Sequence, residues 1–304
     1  ADADTVAQRV RRNARLDASD SHPVRHPNVR LSAPDVEQPA LANLGDGRTY
    51  ALGYFSSYNG TARPSLLRLD FSGALDTAFD PGTGANQTPG AMLALPGGKL
   101  LLTGFFTSFN GTARNGIVCL RANGSVDSGF LDPAGTMPGY NLVLARQLDG
   151  KILIGGDFTT FAGAAANRLV RLNADGSLDS VFSTAVGTGA SHVITELLPL
   201  TDGRIVVAGG FTAWDGNSAY RFLARLNAGG SIDSGFIPPA VSLGSPGFGV
   251  NALILQADGR LLERGLIGLG VSNTFGFGRL AANGAADATF TMHGVETVNS
   301  NDRP

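Results

Sequence analysis

One clause recurs five times in this chain of 304 residues, and it limits the fold more than any other feature. It reads Leu75-Asp76-Thr77-Ala78-Phe79, Val126-Asp127-Ser128-Gly129-Phe130, Leu178-Asp179-Ser180-Val181-Phe182, Ile232-Asp233-Ser234-Gly235-Phe236 and Ala286-Asp287-Ala288-Thr289-Phe290. Successive phenylalanines lie 51, 52, 54 and 54 residues apart. A period near fifty with several short strands per unit marks a propeller or a similar array, because a unit that small buries its apolar faces only against its siblings.

The third copy parses into four strands. Strand A spans Leu142 to Arg146, and Asp149-Gly150 is a tight-hairpin signal. Strand B spans Lys151 to Phe158, and a longer loop runs from Thr159 to Asn167. Strand C spans Arg168 to Leu172, a second tight turn runs from Asn173 to Ser177, and strand D covers Leu178 to Phe182. The other copies match piece by piece, with A–B turns at Asp46-Gly47, Gly97-Gly98, Asp202-Gly203 and Asp258-Gly259. Forty-two glycines fit a turn-rich, all-β chain.

The string Asp149-Gly150-Lys151-Ile152-Leu153-Ile154-Gly155-Gly156-Asp157-Phe158-Thr159, followed by Arg171-Leu172-Asn173-Ala174-Asp175-Gly176-Ser177-Leu178-Asp179-Ser180-Val181-Phe182, resembles the delta-60 repeat, a bacterial β-propeller-like repeat. The resemblance covers about residues 40–290. It implies an architecture and a tendency toward large exported or surface proteins; it implies no reaction and supplies no catalytic residues. The fifth copy departs, with Glu263-Arg264-Gly265-Leu266-Ile267 in place of the Gly-Gly-Asp-Phe-Thr clause. That blade is expected to be distorted or to form a contact edge.

The expected fold is an all-β propeller of five four-stranded blades, at about residues 40–81, 82–132, 133–184, 185–238 and 239–290. The runner-up is a six-bladed ring, or an incomplete one finished by another chain. Residues 1–39 read as an extended or short-helical N-terminal arm, and 291–304 as a tail. A strand from the arm (Val29 to Leu31) or from the tail (Val295 to Val298) is a candidate to close the ring, since an open sheet edge invites pairing.

Net charge is −2 with 16% charged residues, which leaves no electrostatic footprint for nucleic acid. No apolar run reaches the ~20 residues of a membrane helix. Cys119 is the only cysteine and reads as a buried, inert thiol. His22, His26, His192 and His293 show no metal-binding spacing, so no metal or other cofactor is expected. Calcium is the one ion Asp and backbone carbonyls could hold, although no Asp-x-Asp-x-Asp-Gly loop occurs. The chain opens on Ala1-Asp2-Ala3-Asp4. That start fits a mature end after signal removal as well as a mere edge of the sequence, and the reading adopted is export to periplasm, cell surface or medium.

In a four-stranded antiparallel blade the A–B and C–D turns share one face, and the B–C loops and blade-to-blade links share the other, where binding is expected. Asp76, Asp127, Asp179, Asp233 and Asp287 are expected to accept backbone N–H groups from the preceding turn, and each following Phe to wedge between sheets. Their functional rival, a ring of carboxylates for cations, is weaker, because a feature of every blade builds blades. The B–C loops carry Tyr58, Phe109, Phe161 and Trp214 at matched positions, with Asn59, Asn110 and Asp215 following and Arg63 and Arg114 equivalent in two copies. Aromatics beside Asn and Asp suit a sugar face or a protein partner; the bland reading packs them under their own loops. Trp214 is the ring expected to be exposed. Glu196 in strand A of the fourth copy is the acid nearest a hub, with a water-contacting polar residue as its bland reading.

The functional expectation is a non-enzymatic exported scaffold or accessory subunit that binds a protein or glycan, its arm docking on a partner. The alternatives are a carbohydrate-active lyase or hydrolase, which needs clustered acids or a Tyr–Arg pair on the loop face, and a structural surface-layer spacer.

Overall fold

A computed structural model describes residues 40–131, 140–239, 249–267 and 274–290. The expected N-terminal arm, C-terminal tail and both candidate closing strands lie outside these residues. The chain divides into two compact units, residues 1–138 and 139–304.

The first unit holds two three-stranded antiparallel sheets. One is β1 (Ala40–Asn43), β2 (Thr49–Leu52) and β5 (Leu66–Leu69), with a small hairpin, β3 (Ser57–Tyr58) and β4 (Thr61–Ala62), between its second and third strands. The other is β6 (Ala91–Leu95), β7 (Lys99–Thr103) and β10 (Ile117–Leu120), with the hairpin β8 (Ser108–Phe109) and β9 (Thr112–Ala113) in the same place. Tyr50, Leu52, Leu66 and Phe79 of the first copy and Leu100, Leu102, Phe106 and Leu120 of the second bury one another in a shared cluster.

The second unit holds three such sheets. The first comprises β11 (Tyr140–Arg146), β12 (Ile152–Asp157) and β15 (Leu169–Leu172), with the hairpin β13 (Thr160–Phe161) and β14 (Ala164–Ala165). A short helix, α1 (Ser180–Val186), follows it. The second comprises β16 (Ile194–Pro199), β17 (Ile205–Gly209) and β18 (Leu223–Leu226). The third comprises β19 (Val250–Leu255), β20 (Leu261–Ile267) and β21 (Thr274–Leu280). Phe182, Ile194, Leu197 and Phe211 lie in the cluster joining the third and fourth copies. Val206, Phe236, Leu253 and Leu280 lie in the cluster joining the fourth and fifth.

Each sheet has three strands, not four. The expected strand D shrinks to single bridges such as Leu69↔Leu75, Leu172↔Leu178 and Leu280↔Ala286. The reason is local: the Asp that follows each bridge captures the next free amides with its own side chain. Asp76 Oδ1 accepts from Ala78 N at 3.0 Å and Asp233 Oδ1 from Gly235 N at 2.9 Å. The amide lies after the Asp, not in the preceding turn as expected. In the third copy Asp179 caps α1 by accepting from Phe182 N, so Ser180 to Phe182 is helical where a strand was expected.

The same Asp anchors two cations, which the sequence reading missed. The residue after each A–B turn reaches it in all five copies: Arg48–Asp76 at 3.8 Å, Lys99–Asp127 at 2.6 Å, Lys151–Asp179 at 3.3 Å, Arg204–Asp233 at 3.2 Å and Arg260–Asp287 at 3.1 Å. A strand-C arginine eight residues earlier in the chain donates Nε to the same oxygen in four copies, from Arg68, Arg171, Arg225 and Arg279. Its guanidinium lies over the recurring Phe, at 5.0 Å for Phe79, 4.0 Å for Phe182 and 4.6 Å for Phe236. Its Nη1 then crosses to the next copy: Arg68 to Ala122 O at 2.6 Å, Arg171 to Ala228 O at 2.6 Å and Arg225 to Ala282 O at 2.5 Å. Cys119 takes the arginine's place in the second copy, where Arg121 reaches Asp127 at 3.3 Å instead.

Candidate functional site

The hairpins between the second and third strands rest on turn chemistry. Asn59-Gly60, Asn110-Gly111, Ala162-Gly163 and Asp215-Gly216 all have φ between 47° and 78° at both residues. That conformation suits a two-residue hairpin turn and explains the Asn-Gly and Asp-Gly pairs. The asparagine and aspartate side chains then tie the incoming link to the hairpin. Asn110 Oδ1 accepts from Gly84 N at 3.0 Å and from Thr83 Oγ1 at 3.1 Å. Asp215 Oδ1 accepts from Thr188 N at 2.9 Å and Thr188 Oγ1 at 2.8 Å, and these bonds hold its carboxyl below the ordinary range.

The four loop aromatics face inward. Tyr58, Phe109, Phe161 and Trp214 are all buried, and Trp214, the ring expected to be exposed, is 1% accessible. Tyr58 donates its hydroxyl to Gly73 O at 2.7 Å, and Trp214 packs edge-on to Phe211 at 5.8 Å. The bland reading therefore describes these rings. Asn59 is exposed at its turn. Arg63 is half-buried, donates to Ala62 O at 2.8 Å and lies 3.6 Å from Asp80. Arg114 likewise donates to Ala113 O at 2.8 Å.

Two other aromatics occupy the open surface of this edge. Tyr54 is 67% and Phe105 41% accessible. Each directly precedes a buried ring, Phe55 or Phe106, so the alternation of an extended chain turns it outward. The third and fourth copies have Asp157 and Gly210 there. That alternation was the available signal for exposure; the rings at the matched loop positions are the covered ones.

Two acids have carboxyls pushed up. Burial raises Glu196 to about 6, against a bond from the Leu197 amide, and burial alone raises Glu263 to about 7. Burial likewise pushes the Cys119 thiol to about 11. No group of three or more His, Cys, Asp or Glu is placed to hold a metal ion among the described residues. No helix among them is long and apolar enough to cross a membrane.

Residues 44–79, 95–130, 147–182 and 200–236 match a family described as a β-propeller domain of unknown function, DUF5122. The chain is thus built from β-propeller-like repeats, the family matching four of the five copies. No curated protein matches the sequence. Among solved structures, the chain is similar to a GH74 xyloglucanase from Xanthomonas campestris, at 15% identity and a TM-score of 0.46, over 78% of this chain and 37% of that one. It is also similar to an endo-arabinase from Bacteroides thetaiotaomicron, at 14% identity and a TM-score of 0.35, over 67% of this chain and 78% of that one. At such values neither likeness bears on activity.

Proposed function

We propose that this chain is a non-enzymatic, exported interaction module, an accessory or scaffold subunit that engages a glycan or protein partner through the hairpin edge of its first two copies. The observation that carries the reading is the pair Tyr54 and Phe105, exposed rings at equivalent positions in consecutive copies. Exposed aromatics at a repeat spacing offer apolar faces with little side-chain entropy to lose, which suits sugar rings and interface pockets alike. The hairpin beside Phe105 is held by bonds to its link, Gly84 N to Asn110 Oδ1 and Thr107 N to Asn86 Oδ1, so this part of the edge is preorganised. Residues 1–39 supply a second docking element in this reading.

The test is binding of purified chain to a polysaccharide panel, together with purification from the native source. The wild type should retain a polysaccharide or a stoichiometric partner. The Tyr54→Ala/Phe105→Ala variant should lose it with its melting temperature unchanged. Equal retention by the variant removes the aromatic edge from the reading. Turnover of any polysaccharide replaces the reading with a carbohydrate-active enzyme.

A further inference from the structure

The interface between the fourth and fifth copies carries two carboxyl groups where every sibling copy is apolar or small. Glu196 pairs across β16–β17 with Ala208, and Leu198 with Val206. Directly opposed residues share a face. Ala208 and Val206 belong to the cluster with Leu253, Leu261 and Leu280 of the fifth copy, and Leu198 packs against it. Glu196 therefore lies on the face of the fourth copy that receives the fifth. Its counterparts in the matching ladder pairs are Ala40, Ala91, Val143 and Ala252.

Glu263 comes from the opposite side. It pairs with Leu253 on β19 and with Gly278 on β21, so it lies on the face of the fifth copy that meets the fourth. The corresponding cross-strand pairs are Ala51↔Leu67, Leu102↔Val118, Ile154↔Val170 and Val207↔Ala224. In the fifth copy the pair is Glu263↔Gly278, and a Cβ on Gly278 would stand 2.6 Å from the Glu263 Oε1. The glycine makes room for the carboxyl, which fills the place of two apolar side chains.

Two arginines at this interface are engaged by partners other than the glutamates, and Arg221 lies over the Phe222 ring at 5.1 Å. Arg225, on the same face as Val206, is held by Asp233 at 2.8 Å and by Ala282 O at 2.5 Å. Arg204, at the turn end of β17, is held by Asp202 at 2.6 Å and by Asp233 at 3.2 Å. On the fifth-copy side, Leu253, Leu261, Gly278 and Leu280 bring no charge. No cation is bonded or bridged to either glutamate among the described residues, so ionising either carboxyl against this apolar face is disfavoured.

We propose that the fifth copy is a proton-dependent segment: it packs on the fourth while Glu196 and Glu263 are protonated, and its docking weakens as they ionise. Both carboxyls are raised by burial, Glu196 to about 6 and Glu263 to about 7. A raised folded-state value means that the docked state holds protons more tightly than the opened one. Docking stability is then full below the ordinary glutamate range and falls as pH rises through the folded values. The remaining contacts, Thr195 Oγ1 to Val250 O at 2.9 Å and Ile237 N to Asn283 O at 3.1 Å, do not titrate in this range.

Hydrogen exchange on the full chain tests this, with rates corrected for intrinsic chemistry and β11, β12 and β15 as the internal reference. From pH 5 to pH 7 the opening of β19, β20 and β21 should increase about tenfold per pH unit for each ionising group, then level off. The reference strands should not follow. The Glu196→Gln/Glu263→Gln variant should keep at pH 8 the protection the wild type has at pH 5. A wild type whose fifth copy is equally protected at pH 5 and pH 8 overturns the proposal, with no variant needed. So does a Gln variant that folds and opens with pH as the wild type does.

Discussion

Arg171 and Asp179 stand eight residues apart in one copy and form a bond, Nε to Oδ2 at 3.0 Å, at a node that also reaches the next copy. The aspartate folds the chain after the last tight turn, by accepting from Phe182 N at 3.2 Å. The arginine, lying over Phe182 at 4.0 Å, passes Nη1 to Ala228 O in the following copy. Both side chains are largely buried, and the arginine is satisfied on several sides at once. A charge so buried is tolerable only when paired, and the pairing then dictates where the neighbour sits.

Arg171→Ala should cost about 3 kcal/mol, because it leaves the buried Asp179 without its closest cation and Ala228 O without its donor. Urea denaturation of the folded variant reads the loss. A change within error of zero would show that the node is ornamental.

Trp214→Ala should cost about 3–5 kcal/mol, since the ring is fully buried beside Phe211. A thermal melt that matches the wild type would mean that the ring is on the surface after all.

Ala162→Asn should gain about 0.5 kcal/mol. Ala162 has φ of 50° at a position where three sibling copies have Asn59, Asn110 and Asp215. Asparagine tolerates that left-handed conformation better than alanine. Lower stability of the variant in denaturant titration would refute the turn argument.

Stability should also fall on the acid side. Asp127 is held low by Lys99, the Gly129 amide and Arg121. Burial pushes Asp179 and Asp233 up, and their arginine and amide bonds outweigh it. Asp287 is brought to about 2, chiefly by Thr289. These carboxylates contribute stability above the ordinary aspartate value of 3.8, and it is lost as pH falls toward their folded values. With Glu196 and Glu263 acting in the opposite direction, a melting-temperature profile should peak on the acidic side of neutral. A peak above pH 8 would contradict the sign for Glu196 and Glu263, and a melting temperature unchanged from pH 5 to pH 2 would contradict that for the aspartates.

Cys119 should resist thiol reagents at neutral pH, being buried with its thiol raised to about 11. Labelling as fast in the native chain as in denaturant would place it at the surface.

The repeat, the paired tight turns and the all-β class were legible in the chain itself, because Gly, Asn and Asp at fixed offsets constrain the backbone locally. The recurring Asp and Phe were legible as structural parts for the same reason. The strand-C arginines at 68, 171 and 225 were equally visible in the sequence, yet their task was not, because Nη1 ends on a carbonyl 54 or 57 residues away. Fourth strands were expected from hydrophobic residues such as Leu178, but the Asp side chain outcompetes a ladder for the next amides. The direction of a ring is a tertiary matter too: Trp214 and Tyr54 differ less in their neighbours along the chain than in what packs over them, and only the folded copies reveal that one is covered and the other open. The carboxyls of Glu196 and Glu263 are ordinary as letters; only in the fold does burial raise them, on faces where the fourth and fifth copies meet.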